Sequence, residues 1–357
     1  MSKFNMAFLN TNKAWGGGEK WHLEAALYLK SRGWNVHIIT HSQSELKLKA
    51  LSKNISVVEI DVNNLSFINP YHLLKLYMFI KNNHISGLIT NLPSDMKFGG
   101  IAGKLAGIKK LIYRRGMPHP LKNNILNKFL FKFCYSNIIG NSQEICNSLI
   151  KFNSWFPQNK VSLVYNGIKI HKRPAKHKNQ KCIIGNVARL VEQKGQHYLI
   201  ELGIELQKLN FNFEIQIAGS GPMQAELETM IVKHQLSHHV KLLGHLDNVS
   251  EFMNQIDVLA FTSLFEGSAN VLVEALGQEI PVVAFNTSSN PEVIIHNTNG
   301  FLVDDFNMKK FAEYVIQLFN NDDLRNKFQE EMYKSLNEKF NAEKNFKKFE
   351  DILLKKN

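Results

Sequence analysis

The sequence predicts an α/β protein built from two parallel-sheet domains, and three observations carry that prediction. Apolar runs of strand length alternate with segments of helical period along most of the chain, the pattern of βαβ units whose helices cover both faces of a sheet. At 357 residues the chain is long for one hydrophobic core, against a prior of about 150 residues per domain. The alternation is interrupted at residues 171–180 by a polar, basic stretch with one proline that reads as a linker. Residues 1–170 and 171–340 are therefore the expected domains.

In the first half, residues 4–10 read as a strand and 11–17 as a loop. A helical pattern then runs through Leu23, Ala26, Leu27 and Leu29 to Ser31, is closed by Gly33, and leads to a strand at 36–40. Gly16, Gly17 and Gly18 in the first turn lack side chains, so a phosphate could approach the backbone at a helix start. Flexible loops also contain such runs, and this one is not the GxGxxG fingerprint. Strands at 57–60, 87–90 and 110–114 alternate with helices at 71–81 and 96–105, and the fifth strand runs into Arg114, Arg115, Gly116, Met117, Pro118 and His119. Within 121–133, Leu121, Ile125, Leu126, Phe129, Leu130 and Phe133 share one helical stripe, with Lys122, Lys128 and Lys132 off it. A core-facing helix is the ordinary explanation of such a stripe. Its basic flank, with Trp155 and Phe156 in a later loop, also fits docking at a membrane surface. A strand at 138–140, a helix to Ile150 and a strand at 161–165 end the half at Asn166 and Gly167.

The second half opens with a strand at 182–187, after which Arg189 and Lys194, with Gly195 next, leave a strand end and precede a helix. Either cation alone reads as surface charge; together they can reach one anion. A strand at 213–218 and the turn Gly219, Ser220, Gly221, Pro222 precede a helix at 223–232, and 240–244 reads as a buried strand. Residues 256–261 form another strand, 262–269 break into small and polar residues, and a helix starts near Asn270. In such a unit the first N–H groups, here Ala269, Asn270 and Val271, face the carboxyl edge of the sheet and favour an anion. Glu266 in the loop and Glu274 about one turn into the helix bracket that position. Carboxylates accept hydrogen bonds, so a ligand with both hydroxyls and phosphate fits the pair, although a solvated loop charge and an ordinary helix charge would look the same. A strand at 281–284 and helices at 324–339 and 342–354 complete the chain.

Glu266-Gly267, followed by Glu274 after seven intervening residues in this strand-loop-helix context, resembles the signature of glycosyltransferase family 4. These are retaining nucleotide-sugar enzymes of the GT-B fold, two Rossmann-like domains facing across a cleft. The resemblance implies that Glu266 lies by the donor sugar, that Glu274 holds the ribose diol, and that Arg189 and Lys194 clamp the donor diphosphate. It also implies donor contacts at Gly267, Ala269, Asn270 and Val271. Gly16, Gly17 and Gly18 with Glu19 are similar to the family's Gly-Gly-Xaa-Glu segment, which places them between diphosphate and acceptor. The turn at 219–222 is similar to the family's Ala-Gly-Xaa-Gly-Pro, residues 245–248 would stand near the base, and 341–357 looks like the C-terminal helix that crosses back to the first domain. One departure stands out: Arg115-Gly116 falls where many members have His-Gly. Either Arg115 acts there on a donor or acceptor phosphate, or His119 reaches in from the loop; Arg114 reads equally well as a surface cation.

Composition narrows the setting. Cys134, Cys146 and Cys182 have no metal-ligand spacing and no even-numbered framework, which suits a reducing cytoplasm. No basic-then-apolar leader opens the chain, and no apolar run approaches the roughly 18 residues that span a bilayer. Net charge is +12, divided as +17 over residues 1–175 and −5 over 176–357. So basic a half is drawn to nucleic acid or to an anionic lipid leaflet, and without a nucleic-acid motif the lipid is favoured. No Asp-Xaa-Asp or His cluster suggests a metal, and no cofactor is expected. The expectation is a cytoplasmic, metal-independent, retaining glycosyltransferase that meets the inner face of the membrane. It would move a sugar from a nucleotide sugar to a glycan or glycolipid acceptor in lipopolysaccharide or cell-envelope synthesis. The alternatives are a nucleotide-sugar-binding partner without turnover and a GT-B phosphorylase or epimerase; nothing marks the lysine-bound pyridoxal site that a phosphorylase needs.

Overall fold

The computed structural model describes residues 3–117, 121–168 and 180–355. Pro118, His119 and nearly all of the linker at 171–180 lie outside them. The chain divides into two compact units, Met1–Asn166 with Glu343–Asn357, and Gly167–Ala342.

The first unit is built on a parallel sheet of β1 (Lys3–Leu9), β2 (Trp34–Thr40), β3 (Ser56–Glu59), β4 (Gly87–Thr90), β5 (Lys110–Arg115), β6 (Asn137–Gly140) and β7 (Val161–Leu163), in the order β3-β2-β1-β4-β5-β6-β7. Residues such as Ala7, Phe8, Leu9, Leu88, Ile89, Leu111 and Ile112 are buried on both sheet faces, which is why these strands read as unbroken apolar runs. Strand order reverses between β1 and β4, since successive strands are added to one side of β1 up to β3 and to the other from β4 onward, which makes that pair the switch point where ligands of open α/β sheets bind. The helix after β1 spans Gly17–Ser31, so Gly17 belongs, with Gly18, to its first turn and the preceding loop ends at Gly16. Trp21, His22, Ala25, Ala26 and Leu29 all bury there, and that packing carries the helix back into the glycine run. The helix Glu45–Leu51 escaped the sequence reading, although Ser44 caps it, its Oγ accepting from the Leu46 N–H at 3.2 Å.

Two expectations are corrected in this unit. The stripe at 121–133 is not one face: the helix Ile125–Phe129 continues as a π-helical turn, Leu130–Cys134, which shifts the register. Leu130, Phe131 and Cys134 enter the core while Ile125, Phe129 and Phe133 point out. Phe156 is buried, its ring 4.9 Å from that of Phe131, and Trp155 packs on the same core, so neither stands ready for a membrane. The helix Ala342–Leu354 closes the unit, with Phe346 and Phe349 against Trp21 and the Glu350 carboxylate accepting from Trp34 Nε1 at 3.2 Å.

The second unit carries a parallel sheet of β8 (Cys182–Val187), β9 (Phe213–Ala218), β10 (Val240–Gly244), β11 (Val258–Phe261), β12 (Val282–Phe285) and β13 (Phe301–Val303), in the order β10-β9-β8-β11-β12-β13. Its switch point lies between β8 and β11. β10 is an edge strand with Lys241 and Leu243 exposed, a correction to the buried strand expected at 240–244. β13, three residues long, and the helix Met308–Asn320 were not anticipated.

Candidate functional site

At the second unit's switch point, the loop after β8 is pressed onto the loop after β11. A 3₁₀ turn, Glu192–Lys194, ends at Gly195, whose φ of +62° is left-handed and whose Cα faces the Thr262 carbonyl so closely that a side chain would be driven into that oxygen. Three further bonds join the loops: Leu264 N–H to Gln193 O at 2.9 Å, Gln193 Nε2 to Phe265 O at 2.6 Å, and Thr262 Oγ1 to Lys194 O at 3.3 Å. This clamp sets the central contact, an ion pair of Lys194 Nζ with Glu266 Oε1 at 2.5 Å. Glu266 is buried, and Ser288 Oγ, beyond β12, donates to its carbonyl at 2.6 Å.

The sequence singled out both residues but gave no sign that they touch. Arg189 stands exposed at the end of β8 and makes no ion pair among the described residues, its carbonyl taking a hydrogen bond from Gln196 Nε2 at 2.8 Å. Gly267 and Ala269 are buried, while Asn270, Val271 and Glu274 are half-buried in the helix Asn270–Gly277. Asn270 N–H donates to Ser268 O at 2.9 Å, so of the three N–H groups expected to face an anion that one is engaged in its own turn. Gly219 and Gly221, with φ of +142° and +159°, back against the carbonyls of Ala188 and Leu190, so their turn shapes the loop that carries Arg189. Buried Asn186 Oδ1, Gln196 Oε1, Ser289 Oγ and Asn290 Oδ1 have no partner among the described residues.

The first unit's switch point gathers Gly18, Glu19, Asn91 and Arg114. Gly18 leaves room for Asn91, whose Nδ2 would lie 2.9 Å from a Cβ at that position. Gly16 lies beside the buried Glu19, whose Oε1 accepts from Asn10 Nδ2 at 3.0 Å. Adjacent strand residues point to opposite faces, and the arginine on this side is Arg114. It is 2% exposed, donates from Nη1 to Asn91 Oδ1 at 3.3 Å and from Nη2 to Asn166 Oδ1 at 2.8 Å, and its guanidinium lies 4.6 Å from the Trp21 ring centroid. Reading it as a surface cation was therefore wrong. Burial lowers its pKa to about 10, against the pull of Glu19. Buried His22, neither of whose ring nitrogens is hydrogen-bonded among the described residues, is held neutral by burial and by Arg114. Arg115 is also buried but lies on the other face, donating from Nη1 to Tyr113 OH at 3.2 Å. His119 is outside the described residues.

Asp95, which the sequence did not single out, ties β1 to β4. Its carboxylate accepts from Thr11 Oγ1 at 2.5 Å and from the N–H groups of Thr11 and Leu92, each at 3.2 Å. Complete burial pushes its pKa up to about 7. Because the folded pKa lies above the unfolded one, the contribution of this carboxyl to stability is fully present below its unfolded pKa and is lost, to the extent of about a few kcal/mol, as pH rises through about 7. Asp95→Asn, which keeps both acceptor and donor toward Thr11, is expected to flatten the dependence of Tm on pH between about 5 and 8. An unchanged slope in thermal melts would show that Asp95 is ionised throughout.

Among the described residues no three His, Cys, Asp or Glu side chains are grouped to hold a metal ion. The glycosyltransferase family 4 model matches residues 15–172 and the glycosyl transferases group 1 model matches 168–335. An uncharacterized glycosyltransferase of Methanocaldococcus jannaschii is 31% identical over 316 residues, covering 77% of this chain and 86% of that protein. A capsular polysaccharide biosynthesis glycosyltransferase of Staphylococcus aureus is 24% identical over 338 residues, 88% of each. The crystal structure of Anabaena HepE in complex with UDP and glucose superposes with a TM-score of 0.83 at 19% identity, over 99% of this chain and 100% of that one. The chain belongs to the group 1, family 4 glycosyltransferases, and its two parallel-sheet units have the GT-B fold.

Proposed function

We propose that the protein transfers a sugar from a UDP-sugar to an acceptor hydroxyl, with retention and without a metal, in the assembly of a cell-envelope polysaccharide. The observation that carries this reading is the Lys194–Glu266 pair at the switch point of the second sheet, with exposed Arg189 on the same loop as Lys194. As the bond from the sugar's anomeric carbon to the phosphate oxygen breaks, negative charge gathers on the leaving diphosphate. Arg189 and Lys194 stabilise that charge, the task a divalent ion performs elsewhere. The acceptor oxygen bonds to the same face of the anomeric carbon, and its proton passes to the departing phosphate oxygen. Glu266 sits by the sugar and Glu274 accepts from the ribose hydroxyls. UDP in the HepE crystal and the capsular role named for the staphylococcal relative support the donor and the setting. Purified protein incubated with UDP-glucose, UDP-galactose, UDP-N-acetylglucosamine and GDP-mannose is expected to release UDP from one of the uridine donors, equally with and without EDTA. Release that requires a divalent ion would overturn the metal-free step. Binding without release would identify a nucleotide-sugar-binding protein instead.

A further inference from the structure

The first unit has an outer face that this chemistry does not use. The steps from β3 to β4, β5 and β6 all advance in one direction across the sheet, so right-handed crossovers place the connecting helices on the same side. The helix Pro70–Asn82 and the π-helical turn Leu130–Cys134 both pack against the helix Pro93–Leu105 between them, and all three feed one core. Each outer member buries one apolar stripe and shows a second. In Pro70–Asn82, Leu76 and Ile80 go inward while Tyr71, Leu74 and Met78, at i, i+3 and i+7, are 70%, 58% and 46% exposed. In the other, Ile125, Phe129 and Phe133, at i, i+4 and i+8, are 88%, 44% and 54% exposed. Doubled apolar stripes of this kind, on two elements that flank one helix, mark an interaction surface more than scattered surface residues do.

Charge chooses the occupant. Between residues 62 and 134 the sole carboxylate side chain is Asp95, which is fully buried, whereas Lys75, Lys104, Lys122, Lys128 and Lys132 are exposed on these elements or beside them. Lys75 lies on the Tyr71–Leu74–Met78 stripe itself, and Lys128 and Lys132 flank the second. We propose that this face docks onto an anionic lipid bilayer, with Leu74, Met78, Phe129 and Phe133 entering the headgroup boundary and the lysines meeting lipid phosphates. A soluble polyanion would engage the lysines but gain nothing from the apolar stripes. The surface stands independently of the transfer reaction: a chain that binds vesicles but turns over no donor fails only as an enzyme.

Flotation of the full chain with vesicles of phosphatidylcholine and phosphatidylglycerol in equal parts, against phosphatidylcholine alone, tests the proposal. Binding to the anionic vesicles is expected to exceed binding to the neutral ones by more than tenfold and to fall with added salt, as the screening length drops from about 8 Å toward about 3 Å at 1 M. The pair Lys128→Glu, Lys132→Glu should weaken it by more than tenfold. The pair Leu74→Ser, Phe129→Ser, which leaves charge untouched, should do so by a similar factor. These side chains are exposed, so melting temperature and UDP release in solution should match the parent. Equal binding to both vesicle types, or an apolar pair with undiminished binding, overturns the proposal. A concentration-dependent dimer without lipid that the apolar pair abolishes would assign the face to a second copy and also overturn it.

Discussion

Replacing Lys194 by alanine is expected to lower UDP-sugar turnover by roughly 10²–10³-fold, the loss typical when one group facing developing charge is removed. The variant also strands the buried Glu266 carboxylate, because Lys194 is its ion-pair partner. Breaking a buried pair from one side costs about 3–5 kcal/mol at full burial, and somewhat less here, where both side chains keep some exposure. Melting temperature should therefore fall together with activity. Lys194→Met combined with Glu266→Gln separates the effects: without a stranded charge its melting temperature should return toward the parent value while turnover stays low. Arg189 makes the same argument without the complication, since its side chain is exposed and has no ion-pair partner among the described residues. Arg189→Ala should thus keep the parent melting temperature and lose turnover by at least tenfold. A Lys194→Met, Glu266→Gln protein with near-normal kcat would show that the diphosphate is held elsewhere.

The second unit was the more legible of the two, for a physical reason. Its candidate groups sit in loops joining a strand to the next helix, and the order strand, cation, glycine, helix is a local pattern that survives in one dimension. The Lys194–Glu266 contact is separated by 72 residues and depends on Gly195 meeting the Thr262 carbonyl, which no spacing reveals. In the first unit a strand buried on both faces has no apolar-polar alternation, so nothing in the sequence told which of Arg114 and Arg115 faces the glycine run. The partners that bury Arg114, namely Trp21, Asn91 and Asn166, come from three distant segments. The π-helical turn after Phe129 breaks the 3.6-residue period that put six apolar residues on one stripe, and the exposed half of that stripe became visible only with the fold.

Arg114→Ala is expected to be the most destabilising single change in the first unit's polar centre. Two charge-assisted hydrogen bonds would be lost and their amide oxygens, on Asn91 and Asn166, left without that donor. Each such bond is worth about 1.5–3 kcal/mol, and a buried cation over an indole about 2 kcal/mol more. At about 2–4 °C per kcal/mol, the melting temperature should drop by roughly 10 °C or more. Arg114→Lys should recover little, because an ammonium cannot present the planar fork that reaches two amide oxygens while lying over Trp21. Arg115 is set apart by its place on the opposite strand face, and of the two alternatives that the sequence leaves open the one for this residue is charge directed at a donor or acceptor phosphate. A guanidinium stays charged near neutral pH and cannot shuttle a proton, so Arg115→Lys should retain part of the turnover and Arg115→Ala lose most of it, with a smaller change in melting temperature than Arg114→Ala. His119→Ala should be mild. If Arg115→Ala instead melts early while its surviving folded fraction turns over normally, the part Arg115 plays is structural. If His119→Ala alone abolishes turnover, the loop histidine performs the step assigned to the arginine.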